Sequence, residues 1–260
     1  MTLWPEIKAS IGVITPSGNT VVERVTLRIM RHFPPISCHF SRTPVFGGDD
    51  PHPESYDWDS MLGAAELLGH ACVDLLVWNG SKAGGIRFDL DEELAAKVDR
   101  PLVSSTLALR RRAREHGWRR VGLVTPYVET YGRRVERVFA AEGLPCVAAR
   151  HAGSSDNLGH ASIDASTIRS MCLEAASAKP DVLITWCTNF PAAPLVDEIE
   201  RATGLPMLDS TSIAAHEALL RLGVDPRPAT SWGSIFRSAG TSDGTEEYPA
   251  SANVDDRRKT

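Results

Sequence analysis

The chain has 260 residues, 42% of them hydrophobic and 23% charged, a composition that buries a sizeable core and rules out an intrinsically disordered protein. Its formal net charge of −5 offers no basic footprint for nucleic acid, and no apolar run approaches the roughly 18–20 residues of a membrane-spanning helix. The five cysteines (Cys38, Cys72, Cys146, Cys172 and Cys187) are odd in number and hold no CxxC pair, which excludes a disulfide scaffold and a zinc ribbon. With no secretory h-region near the N-terminus, a cytoplasmic protein is expected.

Short apolar runs alternate with longer helical patterns along the chain. Residues 10–15 (SIGVIT), 73–78 (VDLLVW), 120–124 (RVGLV) and 181–186 (DVLITW) read as strands apolar on both faces, as in parallel sheets covered by helices on either side. Between and after them, residues 21–32, 59–71, 92–98, 107–116, 129–141, 165–178, 194–202 and 212–222 suit helices, two of which end at Gly117 and Gly223. The alternation predicts an α/β fold with parallel sheets. From Arg227 onward the chain is polar; residues 232–236 read as a packing segment and 241–260 as a mobile tail.

Three segments recur in the same order. IGVITP at 11–16 matches VGLVTP at 121–126, 110 residues later; DLLV at 74–77 matches DVLI at 181–184, 107 later; and the PLxxST of 101–106 matches the PMxxST of 206–211, 105 later. This predicts a duplicated unit: an N-terminal α/β lobe over 1–113, to which part of the C-terminal segment could pack, a C-terminal α/β lobe over 114–225, and a tail over 226–260. Ligands in open parallel sheets bind beyond the carboxyl ends of the strands, so two such lobes would face each other across one cleft. The loops placed there are PSGNT (16–20), NGSK (79–82), PYVET (126–130) and WCTN (186–189). At the 107-residue offset Gly80 is the counterpart of Cys187, and Ser81 that of Thr188, so the cleft carries one thiol on one side only.

A cysteine at a strand end before a helix start can have its thiolate stabilised by backbone N–H groups and act as acid, base or nucleophile, although a buried cysteine after an apolar strand is more often inert. The neighbouring hydroxyls and amides suit carboxylate oxygens, and would stabilise an enediolate formed beside a carboxylate.

IGVITPSGNT, DLLVWNGSKAGG, VGLVTPY and DVLITWCTNFP together resemble the aspartate/glutamate racemase superfamily, in the branch of maleate isomerase and arylmalonate decarboxylase, over about residues 8–223. The resemblance implies two pseudo-symmetric Rossmann-like lobes, a small carboxylate substrate held in the cleft between them, no cofactor or metal, and a homodimer or higher homo-oligomer. It implies Cys187 as the catalytic cysteine of the second lobe, with Gly80 where two-cysteine members carry their first. Ser81 and Tyr127 are then carboxylate donors, and Asn19 and Asn157 match the two asparagines of the isomerase motif. Pro16 and Thr188 complete the expected substrate contacts. Lys82 departs from the family pattern: it either adds a cationic carboxylate contact, narrows the pocket, or is a solvated loop lysine. Trp78, Trp186 and Phe190 are bulky enough to line the cleft.

Elsewhere, the eight histidines show no HExxH or similarly tight ligand spacing. The acidic, Pro- and Gly-rich stretch 47–54 reads as a mobile loop and a candidate lid. The run RRRAR at 110–114 reads as a solvated or interface helix face. Gly80 removes one of the two bases that racemisation needs, and the first thiol that the isomerase would use. Decarboxylation needs one acid, so a cofactor-independent decarboxylase of a small substituted malonate is the expected activity. The alternatives are a maleate isomerase or an Asp/Glu/hydantoin-type racemase with a substitute for the missing thiol, and a non-catalytic carboxylate-binding homologue.

Overall fold

The computed structural model describes residues 6–44 and 50–237. Part of the candidate lid (47–49) and the predicted tail (241–260) lie outside the described residues.

Two four-stranded parallel sheets make up the α/β fold. The first has strands β1 (Ala9–Pro16), β2 (Ile36–Thr43), β3 (Leu75–Trp78) and β4 (Leu102–Ser104) in the order β2-β1-β3-β4. The second has β5 (Val121–Tyr127), β6 (Cys146–Ser154), β7 (Val182–Thr185) and β8 (Met207–Asp209) in the order β6-β5-β7-β8, the same topology repeated. The registers repeat as well: Ile14 pairs with Trp78 and Trp78 with Ser104, as Val124 pairs with Thr185 and Thr185 with Asp209.

The four strands legible in the sequence, β1, β3, β5 and β7, are the central ones, where helices cover both faces. Close approach of neighbouring side chains explains a glycine repeated on each first strand. A Cβ on Gly12 would sit 3.0 Å from Leu68, and one on Gly122 would sit 2.8 Å from Leu183 and 3.6 Å from Ala175.

Helices α1 (Val22–Met30), α2 (Trp58–His70), α3 (Asp89–Lys97) and α4 (Ser105–His116) accompany the first sheet; α5 (Glu129–Ala141), α6 (Asn157–Ala161), α7 (Ala165–Ala176), α8 (Val196–Thr203) and α9 (Ser210–Arg221) accompany the second. Several starts are capped by side chains the sequence supplies: Asp57 accepts from the N–H of Ser60, Ser104 from Leu107, Asp164 from Thr167, and Asp209 from Thr211 and Ser212. Helix α4 stops at Gly117, whose φ of 68° is the left-handed conformation glycine tolerates.

One hydrophobic core runs through both halves. Phe88 of the first half stacks on Trp186 of the second, with ring centroids 6.2 Å apart, and meets Phe139 edge-on at 5.5 Å. A second cluster, built on Ile14, Leu76, Trp78 and Tyr56, fills the opposite face of the first sheet. At the junction the repeated Ser-Thr starts of α4 and α9 meet, where the hydroxyl of Ser105 donates to the carbonyl of Ser210 at 2.7 Å. The amide of Asn79 donates to the carbonyl of Thr211 at 3.3 Å. Further out, Arg111 of the basic run pairs with buried Glu217 of α9 at 2.6 Å. After α9, short 3-10 turns at Arg227–Trp232 and Ser234–Arg237 bury Phe236 against His216, while Ser234 donates to Glu200. Among the described residues no helix is long and apolar enough to cross a membrane.

Candidate active site

The site is assembled where the carboxyl ends of β3, β5 and β7 converge. Strand β7 ends at Thr185, and the following turn (186–189) is anchored by the backbone N–H of Cys187, which donates to Ser210 Oγ at 3.2 Å. Cys187 is only 4% exposed. Burial pushes its thiol up, and the buried Asp209 carboxyl pushes the same way; hydrogen bonds from the Tyr127 hydroxyl, the Asn189 N–H and the Ser81 hydroxyl pull it down, and the balance is about 11. The helix expected over 194–202 follows, its first turn beginning at Ala193. At neutral pH the group is a thiol with a proton to give.

Around the sulfur sits a ring of donors. The Ser81 and Tyr127 hydroxyls lie 3.2 Å apart. Burial, and then the neighbouring Cys187, push Tyr127 well above its ordinary range, so the phenol stays protonated. A carboxylate placed here would replace the Ser81–Tyr127 hydrogen bond by one from each hydroxyl.

Gly80, the counterpart of Cys187, is held empty of a side chain by its own strand. A Cβ there would lie 2.5 Å from Cη2 and 2.7 Å from Cε2 of Trp78. That indole is fixed: its N–H donates to Tyr56 OH at 2.8 Å, and Tyr56 donates to the buried Asp91 carboxylate at 2.5 Å. Thr106 donates to the same carboxylate. Trp78 therefore occupies the volume a first-lobe thiol would need.

The remaining expected residues divide into two groups. Asn19 reaches the thiol turn, its amide donating to Thr188 Oγ1 at 3.1 Å, while its oxygen accepts the N–H groups of Val21 and Val22 at 2.9 Å and so starts α1. The Pro16 carbonyl closes that loop by accepting from the N–H of Asn19, and Arg42 donates to the carbonyls of Ser17 and Asn19. Asn157 lies at the start of α6, and its carbonyl accepts from the Asn189 amide at 2.5 Å. Lys82 points elsewhere: its ammonium pairs with Asp50 at 2.5 Å and donates to the His52 carbonyl at 2.8 Å, tying down the described end of the candidate lid. Trp186 and Phe190 do not line an open cleft either; both are fully buried pillars of the core.

Two participants were not singled out from the sequence. Asn189 joins the lobes by accepting the N–H of Thr20 at 2.8 Å while donating to Asn157; its place two residues after Cys187, in a loop facing the repeat's partner loop, was the available signal. His160 is the second. Its Nδ1 lies 3.9 Å from Cys187 Sγ, and its ring meets Tyr127 edge-on at 5.3 Å. A test for metal spacing could not reveal it, because its partner is a sulfur 27 residues away. Among the described residues, no three His, Cys, Asp or Glu side chains gather as a metal site. A surface cavity of about 450 Å³, bordered by Glu54, Gly85, Arg134 and Glu142, includes none of the thiol cluster.

The family model for Asp/Glu/hydantoin racemase matches residues 11–218. The chain belongs to that family. Among its relatives, arylmalonate decarboxylase of Bordetella bronchiseptica is 25% identical over 236 residues, covering 87% of this chain and 96% of the relative. Maleate isomerase of Nocardia farcinica is 26% identical over 224 residues, covering 82% and 89%. In solved structures the fold recurs in a Nocardia farcinica maleate cis-trans isomerase mutant with a covalently bound succinylcysteine intermediate (TM-score 0.74, 20% identity, 88% of this chain and 98% of that one). It recurs also in a glycine-to-cysteine, cysteine-to-serine double mutant of arylmalonate decarboxylase in its liganded form (TM-score 0.72, 19% identity, 88% and 99%). These racemase-family relatives are enzymes, and both curated activities concern small carboxylates.

Proposed function

We propose that this racemase-family member is a cofactor-independent lyase that decarboxylates a small substituted malonate, with Cys187 delivering the proton that replaces CO2. The observation carrying the reading is the one-sided site: a protonated, buried thiol at Cys187, and the Trp78 indole where its mirror-image partner would stand. Loss of CO2 leaves its bonding electron pair on the substrate as an enediolate, so no base is required to create the carbanion. Ser81 and Tyr127 hold the retained carboxylate through charge-assisted hydrogen bonds that strengthen as negative charge accumulates on its oxygens. The Sγ–H proton then moves to the α-carbon. The five free thiols suit a reducing compartment.

Maleate isomerisation is the second reading, favoured by Asn19 and Asn157, which both contact the Thr188–Asn189 turn beside the thiol. Lys82 is not the substitute for the missing thiol in that reading, because its ammonium is committed to Asp50 and the His52 carbonyl.

Proton NMR in deuterated buffer separates the readings, using wild type and Cys187→Ser against methyl- and phenylmalonate, maleate, aspartate, glutamate and hydantoins. CO2 release from a malonate with one α-deuterium, abolished in the variant, is the expected result. Conversion of maleate to fumarate, or malonate turnover undiminished in Cys187→Ser, would overturn it.

A further inference from the structure

We propose that His160 is the proton relay that reprotonates Cys187 between turnovers. The inference rests on the reading of Cys187 as the proton donor and adds the step that reading leaves open. Each turnover leaves a thiolate behind, and the sulfur, only 4% exposed, is less open to bulk water than the half-buried His160 ring.

The geometry of the imidazole supplies the route. Its Nε2 lies 3.3 Å from the carbonyl oxygen of Ser154, an atom that only accepts, so Nε2 carries the ring proton. In the neutral ring Nδ1 is then the lone-pair nitrogen, and it is the atom that faces Cys187 Sγ at 3.9 Å. Protonation at Nδ1 produces an imidazolium that keeps the Nε2–H bond to Ser154 and donates its new Nδ1–H toward sulfur. Neither state requires the ring to turn.

The position of the ring matches the task. His160 is half-buried on α6, between the closed thiol pocket and the surface, and its face is fixed edge-on by Tyr127. Burial lowers the ring's pKa and keeps it neutral at rest, while the Ser154 carbonyl and then the exposed Asp156 carboxylate at the start of α6 favour the charged form. In sequence, the Sγ–H proton passes to the substrate α-carbon, a solvent proton binds Nδ1, and Nδ1–H passes to the thiolate. One proton enters for each CO2 that leaves, and thiol and neutral imidazole are both restored.

The test uses His160→Gln and His160→Ala on the full chain, in rapid-mixing assays with whichever malonate the wild type turns over. The expected result is a first turnover near the wild-type rate, then a steady state slower by about 100-fold or more, the range general acid–base groups supply. Imidazole in the buffer should restore the slow phase of His160→Ala, which a merely structural role for the ring would not allow. A steady state equal to wild type overturns the relay, as does a first turnover slowed as much as later ones without imidazole rescue.

Labelling of Cys187 by iodoacetamide at pH 7.5, followed by peptide mass spectrometry, keeps the relay separate from the decarboxylase reading. Removal of the thiol proton by Nδ1 should make wild type react about 100-fold or more faster than His160→Gln. Equal labelling rates overturn the coupling whatever the substrate. Coupled labelling without malonate turnover overturns the decarboxylase reading alone.

Discussion

Replacing Gly80 by cysteine would restore a thiol opposite Cys187 on paper, yet the structure predicts that the single substitution destabilises the fold and confers no two-base chemistry. The new Cβ would lie 2.5 Å from Trp78 Cη2 and closer still to Cζ2, whereas carbon atoms pack at about 3.5 Å or more, so the indole would have to retreat by roughly 1 Å. It has nowhere to go without breaking its hydrogen bond to Tyr56, behind which lies the buried Asp91. Overpacking of this kind costs about 1–3 kcal/mol, and an unmade buried hydrogen bond about 1–3 kcal/mol more. Gly80→Cys should therefore cost about 2–6 kcal/mol in urea unfolding, and in a Trp78→Val background, which vacates the ring volume, less than about 1 kcal/mol. The double variant alone should acquire α-deuterium exchange on a monocarboxylate product in deuterated buffer. Equal unfolding costs in the two backgrounds, within about 0.5 kcal/mol, would show that Trp78 does not fill the counterpart position.

Tyr127→Phe removes a donor to both the thiol and the bound carboxylate; malonate turnover should fall about 100-fold or more, and the alkylation profile of Cys187 should shift to higher pH. Asp209→Asn keeps an oxygen to cap α9 but deletes a buried negative charge near the sulfur, so the Cys187 alkylation midpoint should fall below about 11. Asp209 itself is pushed up to about 6 by burial. The folded state thus holds that proton more tightly than the unfolded chain, and the stability this contributes is lost as pH rises from about 4 to 6. Asp209→Asn should remove this slope from urea midpoints. His216 shifts the other way: burial holds it down to about 3, with Arg112 contributing, and the folded state resists its protonation. That contribution to stability is present above pH 6.5 and lost as pH falls toward 3, at about 1.4 kcal/mol per pH unit. Among the described residues neither ring nitrogen makes a regular hydrogen bond, so His216→Leu should fold and lose about 2 kcal/mol less than wild type between pH 7 and 5.

The sequence signals were strongest where burial was symmetric. Strands β1, β3, β5 and β7 are covered on both faces and read as unbroken apolar runs. The edge strands β2 and β6 are partly exposed along most of their length, and residues such as Ser37, His39, Arg42, Arg150 and His151 hide them among loop-like sequence. Strands β4 and β8 are three residues long, and α6 five, too short to show any period. The repeat made Cys187 legible, because pairing with Gly80 distinguishes it from four other cysteines. It could not reveal His160, whose contact arises when the chain returns from the edge strand β6 over the end of β7. Nor could it show that Lys82 turns outward, since its partner Asp50 sits in a connection with no counterpart spacing.

The filled position beside Gly80 also bears on handedness. A substituted malonate with two identical carboxylates is prochiral, and its enediolate is flat, with two faces open to a proton. In the proposed decarboxylation, with Cys187 as the donor on one face and an indole carbon wall where a second donor would stand, the new C–H bond would form from one side. The product would then be a single enantiomer, and with no second thiol opposite to withdraw the proton and return it inverted, it would persist as one.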